Sequence, residues 1–155
     1  MALQKIVNTI KAVAVAGDVA VPEQAMYYPR NLLADENGLV CGTFAYLTAT
    51  DGEASNTVNG APVGLVQRNL SYPLYDVTVG ASLVVPEGQP MQIMTQGDMW
   101  VQTTTAATVG QKVFAGANGV IATGAAGATV SGATETDWIV ASAGKIGDLI
   151  IIYKH

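Results

Sequence analysis

The chain has 155 residues, half of them hydrophobic and only 12% charged, with net charge −5 and a single histidine, His155. One domain, with or without an arm, fits that length, and the apolar share can build a core at roughly 25 cal/mol per Å2 buried. Three classes are excluded: the seven basic residues are scattered from Lys5 to Lys154 rather than clustered for direct nucleic-acid binding, the lone Cys41 allows no intrachain disulfide or multi-cysteine zinc site, and nothing approaches the ~20 apolar residues of a membrane span. The scarcity of charge has two readings: an exterior covered by sister subunits or a larger assembly, or an ordinary β domain rich in Ala and Gly.

In chain order, residues 1–20 form no clean helical stripe and read as an extended N-terminal arm, followed by a single domain over residues 21–155. A short amphipathic helix through Leu3, Ile6, Val7 and Ile10 is the alternative for the arm. Lys5, Lys11 and the run Ala12 to Ala16 loosely imitate a secretory signal. The apolar run is too short for one, so synthesis in a cytoplasm is expected. Met26 to Leu33 is strand-like but interrupted by Pro29. Asp35-Glu36-Asn37-Gly38 is a turn, and Leu39 to Ala49 follows as one long β run. Asp51 to Pro62 is polar and predicts an exposed loop. Strand signals return at Val63 to Asn69 and at Tyr75 to Val85.

From Val84 to Thr123 short apolar or alternating runs are separated by four turn signals: Pro86-Glu87-Gly88, Gln96-Gly97-Asp98, Val109-Gly110-Gln111 and Asn118-Gly119. Gly124 to Thr134, made almost wholly of small residues, is either a loop or a strand pressed against another backbone. Trp138 to Ala141 and Asp148 to Tyr153 close the chain as strands around Gly144 to Gly147, and both Trp100 and Trp138 are expected in the interior. The pattern of short strands and close turns predicts an all-β fold, a compact antiparallel β-barrel or jelly-roll-like sandwich.

Candidate chemistry is thin. Cys41 lies in an apolar run far from the only histidine, so it reads as a small buried hydrophobe. Asp35 and Glu36 belong to a turn, Asp51 and Glu53 to a loop, and Asp98 is read as stabilising the turn at Gly97. A hydrolase pairing Asp98 with another acid is the enzymatic alternative. Gly124-Ala125-Ala126-Gly127 lacks the helix and lysine of a phosphate loop, and Asn69-Leu70-Ser71 is a chance sequon. Tyr27, Tyr28, Tyr72 and Tyr75 suit either an interface or a sugar-binding platform. No catalytic, metal or cofactor site is assigned.

Several segments together resemble the structural cement, or capsid decoration, proteins of tailed bacteriophages. They are Leu3-Gln4-Lys5 with Val7-Asn8, Val15 to Asp18, Gly38 to Phe44, Pro62 to Arg68, Val85 to Gly88, Gly97 to Val101, Val109 to Ala115, Ala143-Gly144 and Gly147 to Ile150. The matches are collinear over most of the chain. Met26-Tyr27-Tyr28 and the short tail after Thr123 depart from the pattern. The resemblance implies a homo-oligomer, dimer or trimer, that binds the exterior of an assembled capsid and staples neighbouring major capsid subunits. It implies no enzyme activity, no cofactor and no membrane or nucleic-acid partner. Candidate contacts to capsid or sister subunits are Leu3, Lys5, Val7, Ile10, Tyr27, Tyr28 and Tyr72. A carbohydrate-binding or receptor-binding β module of a phage particle is the alternative.

Overall fold

The structure, a computed structural model, describes residues 13–69 and 83–155. Expectations placed on Leu3, Lys5, Val7, Ile10, the sequon, Tyr72 and Tyr75 therefore lie outside the described residues. The fold is all-β. Its strands are β1 (Met26–Tyr27), β2 (Leu32–Ala34), β3 (Leu39–Val40), β4 (Phe44–Leu47), β5 (Glu53–Ser55), β6 (Gly64–Val66), β7 (Val84–Val85), β8 (Pro90–Met91), β9 (Ile93–Gln102), β10 (Lys112–Ala115), β11 (Ile121–Gly124), β12 (Thr134–Val140) and β13 (Leu149–Lys154). The only helical segments among the described residues are two 310 turns, Pro22–Gln24 and Ala117–Gly119.

The long strand β9 organises everything else. Its C-terminal half pairs with β13, which pairs with β12, then β10, then β11. Just past β9, Thr103 forms a parallel bridge to Ile121 of β11, and the Thr104 amide donates to the Ile121 carbonyl at 2.8 Å. The sheet thus returns to the strand it started from, leaving β11 with no free edge to recruit another chain. Period-two alternation fills the interior. Met99 and Val101, Ile150 and Ile152, and Trp138 and Val140 are buried, while Trp100, Ile151 and Ile139 between them are only half-buried. Inward residues meet as cross-strand pairs, Val101 opposite Ile150 and Met99 opposite Ile152.

The N-terminal half of β9 pairs with β6, followed by β4, β5, β2 and β8. Every pairing is antiparallel except the parallel contact between β2 and β5. Gln92 alone separates β8 from β9 in the chain, so the last strand of this set leads directly into the first. A separate ribbon pairs β3 with β7.

Two apolar cores result, with a shared sheet between them. Phe44, Tyr46, Leu65 and Met94 belong to the core that contains Trp138 and Ile152. Their immediate neighbours Ala45, Val66 and Ile93 belong to the other, with Leu32, Leu39, Cys41 and Met91. Successive side chains of a strand face opposite ways, so β4, β6 and the start of β9 serve both cores at once. That is why Phe44-Ala45-Tyr46 and Gly64-Leu65-Val66 are apolar and buried without interruption.

Three expectations are corrected. Gln96-Gly97-Asp98 is no turn but the middle of β9; Gly97, at φ 124°, lets the backbone of Ala25 approach to 3.0 Å of where a Cβ would sit. The run Leu39 to Ala49 is split by a turn at Cys41 to Thr43, because β3 joins the ribbon and β4 the central sheet. Asp51 to Pro62 is not wholly exposed, since Glu53–Ser55 is a strand and Ala54, Ser55 and Asn56 are buried. Gly124 to Thr134 resolves as the end of β11 and the start of β12, with residues 125–129 exposed between them.

Candidate functional site

The N-terminal part of the described chain is tied to β9. The Gly17 amide donates to the Trp100 carbonyl, the Trp100 amide to the Asp18 carbonyl, and the Ala20 amide to the Asp98 carbonyl, at 2.8, 2.9 and 2.8 Å. A turn precedes this ladder, closed by Asp18 N–H donating to the Val15 carbonyl at 3.0 Å and Val15 N–H donating to Asp18 Oδ2 at 2.9 Å. The other oxygen of Asp18 accepts from Arg68 Nη1 at 3.1 Å. One half-buried carboxylate therefore fixes both the turn and its anchor. Val13, Ala14, Asp18, Arg68 and Trp100 line a depression of about 750 Å3 here, so Trp100, expected inside, is half-buried on its wall.

Tyr27 and Tyr28 occupy neighbouring positions but turn to opposite sides. Tyr27 packs against the core of Trp138, and Tyr28 against the core of Leu32. Burial raises the Tyr27 hydroxyl above its ordinary pKa, and a hydrogen bond with Gln67 works against that shift. The two rings share no common face, so Tyr27 and Tyr28 do not form a platform together, and Tyr72 and Tyr75 lie outside the described residues. The Arg30 guanidinium grips the Asp51 carboxylate through both Nη atoms, joining the segment after β1 to the turn before β5. That contact holds Asp51 below the usual carboxylate range and raises Arg30.

An apolar groove of about 420 Å3 opens between the β3–β7 ribbon and the β9–β11 end of the other core. Val40 and Cys41 lie on one side, Thr103, Val120, Ile121 and Ile146 on the other, and no lining side chain among the described residues is charged. Its rim is apolar and open to solvent: Val40 is 39%, Val120 37% and Ile146 72% exposed. Val84 stands directly opposite Val40 in the ribbon and extends the patch. Sequence reasoning missed this surface because its parts are far apart in the chain. The available signal was an apolar residue at or beside a turn: Val120 after Asn118-Gly119, and Ile146 within Gly144 to Gly147.

The residues considered for chemistry are placed as follows. Cys41 is buried, and burial pushes its thiol up to about 11, far from a reactive thiolate. Asp35 accepts from the Asn37 amide at 3.1 Å, so it serves its turn. Asp98 does not serve a turn. It is buried on β9 with Oδ2 lacking a hydrogen bond among the described residues, 3.6 Å from His155 Nε2. No group of three or more His, Cys, Asp or Glu side chains among the described residues could hold a metal, and no helix there is long and apolar enough to cross a membrane.

Among solved structures, the chain is similar to a chain of the capsid of Myoviridae phage XM1, with TM-score 0.69 and 19% identity, covering 99% of this chain and 97% of that one. It also resembles the N base of head fiber gp8.5 of bacteriophage phi29, with TM-score 0.49 and 12% identity over 84% of this chain and 94% of that one. At such identities the XM1 likeness is one of fold. No curated protein matches the chain. The family model for the XM1 gp53 minor capsid protein matches residues 3–154, and the chain therefore belongs to that family of phage capsid-associated proteins.

Proposed function

We propose that the protein is a structural cement: a homo-oligomer, dimer or trimer, that binds the outside of an assembled phage capsid and staples neighbouring major capsid subunits. The observation that carries this reading is membership of a minor capsid family over residues 3–154, which implies a place in the virion. The chemistry of the chain supports a role without catalysis, since its one thiol is buried and protonated at neutral pH. A net charge of −5 suits an outer surface better than contact with packaged DNA. Contacts in the arm (Leu3, Lys5, Val7, Ile10) and at Tyr27, Tyr28 and Tyr72 would form the grip. Repetition over a shell lets individually modest contacts accumulate.

The test is reconstitution. Purified protein added to expanded capsids that lack it is expected to attach at a fixed ratio to the major capsid subunits and to raise the temperature at which the shells rupture. Failure to attach to capsids shown by electron microscopy to be intact and fully expanded would overturn the reading.

A further inference from the structure

We infer that Asn59 is a self-modifying site, which converts without any enzyme to aspartate and isoaspartate through attack of the Gly60 amide nitrogen on its side chain. Nothing in this depends on the capsid reading. What carries it is the different way the fold treats three identical pairs, Asn37-Gly38, Asn59-Gly60 and Asn118-Gly119.

Asparagine before glycine favours the reaction, because glycine has no Cβ to hinder its own nitrogen and turns freely. The glycine nitrogen bonds to the asparagine Cγ, the Cγ–Nδ2 bond breaks, and ammonia leaves with the proton that the nitrogen gives up. Water then opens the resulting succinimide at either carbonyl, giving aspartate or isoaspartate, with nothing oxidised or reduced. The attacking nitrogen must be free of hydrogen bonds, and its backbone must be free to swing. Two of the pairs meet neither condition. Gly38 N–H donates to the Asp35 carbonyl at 3.0 Å, and Gly119 N–H to the Gly116 carbonyl at 3.1 Å. Both glycines are buried. A Cβ on Gly38 would lie 2.7 Å from the Val85 carbonyl oxygen, and one on Gly119 2.1 Å from that of Phe44, so either backbone is pressed against a neighbouring strand.

Gly60 differs on every count. It is exposed, no atom beyond its chain neighbours comes within 4 Å of its Cβ position, and its N–H has no hydrogen-bond partner among the described residues. Asn59 is exposed as well, tethered by the single bond that its Nδ2 donates to the Leu47 carbonyl at 2.9 Å. An exposed bond of this kind opens readily. The product alters this surface. A carboxylate cannot donate to the Leu47 carbonyl, so the tie between the β5–β6 loop and the end of β4 is lost. Asn59 lines a hollow of about 350 Å3 together with Asp35, and the change sets a second carboxylate there. Isoaspartate also lengthens the main chain by one methylene. The protein thus gains a negative charge and a loosened loop as it ages.

The test is peptide mass spectrometry of the full chain aged in mildly alkaline buffer, with isoaspartate scored by isoaspartyl methyltransferase. In the folded chain Asn59 is expected to convert ~10-fold or more faster than Asn37 or Asn118, because their turns must first open against a hydrogen bond and packing. Its product should contain isoaspartate as well as aspartate. In urea, where no turn is held, the three rates should converge to within about threefold. Equal rates in the folded chain overturn the inference. So does a lead for Asn59 that persists undiminished in urea, which assigns the difference to neighbouring sequence instead of the fold. Conversion of Asn59 to aspartate alone overturns it too, since that outcome marks direct hydrolysis without attack by Gly60.

Discussion

The contact between the 310 turn Ala117–Gly119 and β4 gives a sharp test of how the molecule is joined. Gly119 has φ +70°, and a Cβ placed on it would lie 2.1 Å from the Phe44 carbonyl oxygen. Gly127 has φ +72°, with nothing within 4 Å of the same atom. The substitutions Gly119→Ala and Gly127→Ala therefore share one cost and differ in another. The shared cost is a left-handed backbone on an L-residue, roughly 1–2 kcal/mol. Gly119→Ala must in addition move the turn or β4 by ~1 Å to restore ordinary contact, an overpacking cost of about 1–3 kcal/mol. Movement of β4 also disturbs the 2.8 Å hydrogen bond that Asn56 Nδ2 donates to the Phe44 carbonyl, worth about 1 kcal/mol. The totals are about 3–6 kcal/mol for Gly119→Ala and about 1–2 for Gly127→Ala. For a chain of this size each kcal/mol lowers Tm by roughly 2–4 °C. Thermal melts followed by circular dichroism should place Gly119→Ala roughly 4–16 °C below Gly127→Ala. Coincident melting of the two variants would refute the close packing of this turn on β4.

Asn56→Ala should destabilise by about 2–4 kcal/mol in urea, because it strands buried backbone groups. The side chain accepts from the Val40 amide at 2.9 Å and donates to Thr43 Oγ1 and the Phe44 carbonyl, both at 2.8 Å. Above pH 9 stability should decline through Cys41. Its folded pKa, about 11, stands above the ordinary 9.0, so the unfolded chain releases the proton first. The contribution is whole below pH 9, lost between 9 and 11 and level beyond. Two pKa units correspond to at most about 2.7 kcal/mol, which solvent screening reduces to roughly 1–2. Cys41→Ala should remove that part of the alkaline decline, and an unchanged decline would show that the thiol does not cause it. Ile152→Ala and Leu32→Ala, one in each core, should each cost about 2–5 kcal/mol. Both should leave a single calorimetric transition, and separate transitions would show that the shared sheet does not couple the cores.

The strands easiest to read in the sequence were those with one face on a core. Trp138 to Val140 and Ile150 to Tyr153 are unbroken runs of strong strand formers, and their burial alternates in the structure. β5 was illegible because Glu53-Ala54-Ser55 has no strand formers; pairing with Leu33 and Ala34 on one side and Tyr46 and Leu47 on the other makes it a strand. Gly97-Asp98 imitated a turn because glycine next to aspartate supplies turn chemistry wherever it falls. In β9 the glycine instead admits a neighbouring backbone. Tyr27 and Tyr28 were legible as contact-forming aromatics, yet their opposite orientations follow from a central sheet that no local pattern announces.

That sheet also bears on the low charge of the chain. A deficit of charged residues suggested an exterior covered by partners, but a sheet buried on both faces consumes apolar residues at consecutive positions. Phe44, Ala45, Tyr46, Leu65, Val66, Ile93 and Met94 are all at most 1% exposed. Much of the hydrophobic excess is therefore used inside one copy and says nothing of neighbours. What remains for neighbours is the exposed set, eleven large apolar side chains among the described residues. Singly scattered ones need no partner. Three of them, Val40, Val120 and Ile146, gather at one groove between the ribbon and the other core, with Val84 paired beside Val40. Composition left a covered exterior and an ordinary β domain equally open; burial accounts for much of the apolar excess within one copy and leaves that groove as the place where exposed apolar side chains gather.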